Sequence, residues 1–248
     1  MYLLLSGEGS GDVGTCELSF SSCDREGFKE GPMAIIIDQL VEAFQGYEMS
    51  HLDAECVSFV SEAYLVEHKL PANRRAMQLK GKKKPAEIQY YYENARALAA
   101  AAKAKSAELE GSVVAVLFRD SDGTASAGRG DWRDKRNSMI KGFEEEGYEL
   151  GVAMMPKPKS EAWLLCATQS NSYQHCERLE QESGNDKSPN SLKMQLANSL
   201  QGHSSSDICC LVKGRIIDVD LINMPSFQVF KEDLKQAVLL ANSSGGIP

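Results

Sequence analysis

Apolar residues along this chain fall in short runs separated by polar, glycine-containing stretches, and the spacing within each run predicts the elements. Residues 2–6 form an apolar run that opens into Gly7-Glu8-Gly9, the pattern of a buried strand ending in a glycine-rich loop. Polar sequence follows up to Gly31-Pro32, after which Met33, Ile36, Ile37, Leu40, Val41 and Phe44 recur at helical spacing. Residues 56–66 read as a second strand and residues 86–109, rich in Ala, Glu and Lys, as a long helix. Residues 113–118 are continuously apolar, as strands of a parallel sheet buried on both faces tend to be. A helix over 132–146, a strand over 148–155 stopped by Pro156 and Pro158, and a short helix capped by Ser160 and carrying Glu161, Trp163, Leu164 and Leu165 complete the alternation.

Strand and helix alternate through residue 165, which predicts an α/β fold with a parallel sheet flanked by helices. Residues 167–206 are Ser-, Asn- and Gln-rich with one helical stretch near 191–200. Residues 208–222 are ambiguous between strand and helix, and 227–240 place Phe227, Phe230, Leu234 and Val238 on one helical face. The expectation is a sheet domain over 1–165 with a mostly helical C-terminal extension, 166–248, packed on it.

Composition narrows the function. The 248 residues are 42% apolar, enough for a sizeable core, and 27 Lys+Arg against 35 Asp+Glu leave a formal charge of -8, which argues against nucleic-acid binding by bulk charge. The local exception is 73–84, where Arg74, Arg75, Lys80, Lys82, Lys83 and Lys84 occur without an acidic residue. That segment is a candidate contact for nucleic-acid phosphates, and it reads equally well as a solvated loop. No apolar run reaches membrane length and residues 1–5 lack the features of an export signal, so a soluble, cytoplasmic protein with no membrane association is expected. Its 7 cysteines are then expected as reduced thiols; no C-x-x-C occurs, and the 4 histidines are scattered, so no zinc spacing can be assembled.

Two motifs compete for the first loop. Gly9-Ser10-Gly11-Asp12-Val13-Gly14 matches the dinucleotide fingerprint, but no apolar helix follows the glycines directly, and no P-loop sequence exists anywhere in the chain. The same loop holds Glu8-Gly9-x-x-Asp12, and the strand over 113–118 ends in Asp120-x-Asp122-Gly123. Strand ends of a parallel sheet converge on one rim, so these four carboxylates would meet there. Crowded anions need a cation, and hard oxygen donors without nearby His or Cys select Mg²⁺ or Mn²⁺. The spacing is not that of an EF-hand, because Gly123 stands fourth rather than sixth from Asp120 and Asp131, not Glu, holds the twelfth place.

Glu8-Gly9-x-x-Asp12 after a first strand and Asp120-x-Asp122 after a third resemble the Toprim domain of topoisomerases, primases and OLD-type nucleases. Lys159-Ser160-Glu161-Ala162-Trp163-Leu164-Leu165 and Met224-Pro225-Ser226-Phe227 are similar to segments of small bacterial Toprim proteins of the OLD type. The resemblance implies a Toprim-like (Rossmann-like) sheet and metal-dependent nuclease activity on DNA or RNA. Glu8, Asp12, Asp120, Asp122 and Glu161 would surround Mg²⁺, with Glu8 also positioning the attacking water and Lys159 steadying the scissile phosphate. It further implies a setting in phage defence and a separate ATPase subunit as partner. The alternatives are a non-catalytic Mg²⁺-dependent nucleotide- or phosphate-binding module and a dinucleotide-binding oxidoreductase.

Overall fold

The computed structural model describes residues 1–8, 11–71, 86–121, 131–200 and 205–244. Strand β1 (Tyr2–Gly7) begins the chain, and the segment read from sequence as a polar loop then folds into three short strands, β2 (Gly14–Cys16), β3 (Ser22–Asp24) and β4 (Phe28–Glu30). Helix α1 (Pro32–Gln45) starts with proline in its first turn, where the missing N–H costs nothing, and stops at Gly46 in the left-handed conformation. Strand β5 (Val57–Ser61) ends five residues before the sequence pattern does. Ser61 Oγ accepts the Tyr64 N–H at 3.3 Å and thereby starts helix α2 (Glu62–Glu67). Helix α3 (Ala86–Leu109), strand β6 (Val113–Phe118), helix α4 (Trp132–Glu145) and strand β7 (Gly151–Met154) follow.

The main sheet has the order β3-β5-β1-β6-β7. Strands β5, β1, β6 and β7 are parallel, whereas β3 pairs antiparallel with β5, so the sheet is mixed rather than wholly parallel. Strands β2 and β4 pair with each other in a separate ribbon. Because β1 lies between β5 and β6, the strand order reverses at the β1–β6 junction, and the crevice beyond the carboxyl ends of such neighbours is where α/β sheets bind ligands.

Alternate residues of each strand enter two different cores. Leu4, Val113, Ala115, Leu117 and Ala153 pack with α3 and α4, which approach closely because Gly142 has no side chain: a Cβ there would stand 2.5 Å from the Tyr92 carbonyl oxygen. Leu3, Leu5, Val114, Val116, Phe118 and Met154 face the other way, into the core shared by α1 and the C-terminal part of the chain. That part comprises α5 (Ser160–Thr168), α6 (Leu192–Ser199), α7 (Ser205–Lys213) and α8 (Pro225–Ser244). The stretch over 208–222, ambiguous in sequence, is therefore helical up to Lys213 and ends in a tight turn at Val219–Leu221. Helix α8 lies against α1, β6 and β7, so the C-terminal region supplies part of the layer covering the sheet.

Four of the seven cysteines expected as thiols are paired, Cys16 with Cys23 and Cys166 with Cys176, while Cys56, Cys209 and Cys210 are free. The first pair forms because the fold brings Cys16 of β2 and Cys23 of β3, strands of two different sheets, to a Cα separation of 5.7 Å, a proximity that linear spacing does not encode. No helix among the described residues is long and apolar enough to cross a membrane.

Candidate metal centre

Glu8 follows β1 directly and Asp120 stands two residues beyond β6. Glu8 Oε1 accepts the backbone N–H of Asp120 at 2.8 Å, which joins the two strand ends. Asp12 is brought to the same place by a chain reversal pinned to the start of α1, where its carbonyl accepts the Met33 N–H at 2.9 Å and the Val13 carbonyl accepts the Gly31 N–H at 2.8 Å. Two glycines make room for that reversal. A Cβ on Gly31 would lie 2.2 Å from the Asp12 carbonyl oxygen, and one on Gly7 would lie 2.8 Å from a Val13 methyl.

The first turn of α5 closes the arrangement. The Ser160 N–H donates to Asp120 Oδ1 at 3.0 Å, the Ser160 hydroxyl donates to Asp12 Oδ1, and Glu161 Oε2 lies 3.5 Å from the same hydroxyl. Ser160, expected from sequence as a helix cap, is instead the first helical residue. Lys159 takes the cap position without a capping side-chain bond, and the serine is 1% exposed between two aspartates. Behind the rim, the Tyr91 hydroxyl donates to the Asp120 carbonyl at 3.2 Å, and buried Lys135 donates to the Ser121 carbonyl at 2.7 Å. The Ser121 N–H and hydroxyl both donate to the Pro158 carbonyl at 3.1 Å. The sequence offers Lys135 only within the basic and aromatic cluster Trp132-Arg133-Asp134-Lys135-Arg136 behind the Asp-x-Asp loop and Ser160 only as a cap, and it carries no signal for Tyr91.

The electrostatics record the crowding. Burial, and then the charges of Asp12, Glu161 and Glu8, push the Asp120 carboxyl well above its usual range against the opposing Ser160 amide. Burial also raises Asp12, with Glu161 adding to it and the Ser160 hydroxyl opposing it. Asp12 and Asp120 each keep Oδ2 outside these protein hydrogen bonds, and the donors are all hard oxygens, which suits Mg²⁺ or Mn²⁺ in chemistry. As arranged, no three acidic, His or Cys groups among the described residues converge closely enough to hold a metal ion.

Glu8, Asp12, Asp120 and Glu161 thus lie at one end of the sheet, linked through the Asp120 N–H and Ser160 rather than converging on a common point. The Lys159 charge reaches Asp12, where it opposes the rise, and its ammonium pairs with Asp186 at 3.1 Å from either carboxylate oxygen. Asp122 and the six cations Arg74, Arg75, Lys80, Lys82, Lys83 and Lys84 lie outside the described residues. Of the dinucleotide fingerprint, Gly14 opens β2 at φ 130°, with its missing Cβ making room for the Lys29 carbonyl, and α1 does not begin until Pro32. A helix N-terminus directly after the glycines is absent among the described residues.

No protein-family model, curated protein or solved structure matches the chain.

Proposed function

We propose that the chain is a metal-dependent nuclease of Toprim type, hydrolysing phosphodiester bonds of DNA or RNA at the rim formed by Glu8, Asp12, Asp120 and Glu161. The observation that carries the reading is the double use of Ser160, which ties Asp12 and Asp120 to one point at the switch between β1 and β6. Asp12, Asp120 and Glu161, with Asp122 from the adjoining segment, would hold Mg²⁺ or Mn²⁺. A bound ion supplies Lewis acidity toward the phosphoryl oxygens and lowers the pKa of a bound water. Glu8, fixed against the Asp120 amide, orients the attacking water, and Arg74, Arg75, Lys80, Lys82, Lys83 and Lys84 contact flanking phosphates. Lys159 reaches the scissile phosphate by exchanging Asp186 for it. A role in defence against foreign nucleic acid, with a separate ATPase chain that delivers or restrains the nuclease, completes the proposal.

The test is cleavage of plasmid DNA and single-stranded RNA with Mn²⁺, comparing the native protein with Asp120→Asn. The variant is expected to lose activity by about a hundredfold or more while keeping its fold. Equal cleavage by both proteins would refute the assignment, and cation-dependent binding of nucleic acid without turnover would favour the non-catalytic module.

A further inference from the structure

On the face of the main sheet that α3 covers, the residues nearest the β3 edge turn polar. Ser22 and Asp24 of β3 register with Val60 and Ser58 of β5, and Ser58 registers with Leu4 of β1, so these side chains share that face. Leu4 and Val60 are buried in the core there, whereas Tyr2, Ser58 and Asp24 form a hydrogen-bonded row. Ser58 Oγ donates its single proton to Asp24 Oδ1 at 2.6 Å, and the Tyr2 hydroxyl therefore donates to Ser58 Oγ at 2.7 Å. Helix α3 passes this edge with Ala101 and Ala104, which are too small to fill the space. The result is a trough of about 360 Å³, within the size range of small-molecule sites.

The trough already holds one ammonium of the chain's own. Lys105 Nζ donates to Asp24 Oδ1 at 3.2 Å and to Glu108 Oε1 at 3.1 Å, 5.5 Å from the centre of the Tyr2 ring, a carboxylate and aromatic setting suited to organic cations. Burial works against the Lys105 charge, but the bonds to Glu108 and Asp24 outweigh it and raise its pKa, while Asp24 is lowered, chiefly by Ser58. Two carboxylates against one ammonium leave the lining with an excess of negative charge, and Asp24 Oδ2 and Glu108 Oε2 stand outside these hydrogen bonds. We propose that the trough binds a small organic amine, with the ammonium head between Asp24 and Glu108 and the hydrocarbon body along Leu4, Val60, Tyr64 and Ala101. Its polar end lies beside Tyr2, at the opposite end of β1 from Glu8, so this inference does not rest on the nuclease reading.

Hexylamine, hexanol and hexanoate share a chain length and differ in the head group. Each is titrated into the native protein at neutral pH by calorimetry, with melting temperatures recorded alongside. Hexylammonium is expected to bind saturably, about tenfold more tightly than the alcohol and more tightly still than the carboxylate, and to weaken with salt because both carboxylates reach water. Asp24→Asn, which can still accept from Ser58, is expected to weaken the amine about fivefold. Lys105→Met, which removes the ammonium already there, is expected to strengthen it about fivefold and to gain thermal stability when the amine is added. Ala101→Leu fills the trough without changing a charge and is expected to abolish binding; Ala104→Leu does the same from an exposed helical position if the first variant is unstable. Equal binding of alcohol and amine, binding unmoved by the leucine, or shifts of the same sign in Asp24→Asn and Lys105→Met overturn the inference, as does a native protein that binds no amine.

Discussion

Ser160 has no charge and no catalytic chemistry of its own, yet it fixes the geometry of two carboxylates that repel each other. Its hydroxyl answers Asp12 and its amide answers Asp120. Removing the hydroxyl alone leaves Asp12 buried beside Glu161 with one fewer donor, a loss of about 1.5–3 kcal/mol for a hydrogen bond to a charged group. Ser160→Ala is expected to lower Mn²⁺ affinity and any cleavage by about ten- to a hundredfold with the fold retained, as read by calorimetry and circular dichroism. Asp120 makes a pH prediction. Its folded-state pKa is raised, so between the ordinary value of 3.8 and the raised one the folded protein binds more protons than the unfolded chain, and stability falls as pH rises through that window. Asp120→Asn should therefore raise the melting temperature of the metal-free protein at pH 8. No gain is expected below pH 3.8, where the carboxyl is neutral in both states. A variant no more stable than the native protein at pH 8 would show that the carboxylate crowding is not costly. The carboxylates themselves were legible in the sequence because Asp-x-Asp after a continuous apolar run is a local pattern. Ser160 was not, because a serine before a helix reads as a cap until the aspartates from elsewhere are placed beside it.

At the scale of elements, long runs declared themselves and short ones did not. The strand at Val113–Phe118 and the helix at Ala86–Leu109 have enough residues for their periodicity to exceed chance. Strands β2, β3 and β4 have three residues each, and their burial alternates over too few positions to stand out from a polar loop. What holds them is tertiary: pairing with β5, the close approach at Gly31, and the Cys16–Cys23 bond. Strand β5 was read too long because Val66 and Leu65 continue its apolar character after Ser61 has begun a helix. Both disulfides close short loops, with separations of 7 and 10 residues, and on the chain-entropy model each contributes about 2–3 kcal/mol. Cys166 lies on α5, one helical turn and a half beyond Ser160, so its bond to Cys176 braces the helix that closes the rim. Alkylation of the unreduced protein followed by mass spectrometry is expected to label Cys56, Cys209 and Cys210 alone. The Cys166→Ser/Cys176→Ser variant is expected to melt several degrees lower; modification of all seven thiols without reductant would contradict the pairing.

Across the whole molecule, the C-terminal region is part of the architecture of the rim. Trp163 of α5 is fully buried between Phe227 and Phe230 of α8, with ring centroids 4.9 and 5.8 Å away, and its indole N–H donates to Ser226 Oγ at 2.9 Å. Glu180 in turn accepts the Ser226 N–H at 2.6 Å, and Arg136 of α4 pairs with Asp233 of α8. Phe230→Ala opens a cavity against Trp163 and is expected to cost about 3–5 kcal/mol, with a parallel loss of Mn²⁺ affinity if α5 shifts. A denaturant titration and a metal titration of the same sample read both. The amphipathic face of residues 227–240 was visible in sequence, but its partner was not, because nothing local links Trp163 to a helix sixty residues later.

The dependence of α5 on α8 also bears on how the protein is made. Glu8, Asp12, Asp120 and Ser160 have all been synthesised before any residue of α8 exists, yet Phe227 and Phe230, the rings that pack on Trp163 of the helix that fastens Asp12 to Asp120, arrive only with α8. A growing chain therefore carries the acidic residues before the packing that seats α5 is complete. On the proposed reading, a product that ends before α8 is expected to lack nuclease activity, which an assay of the truncated chain checks.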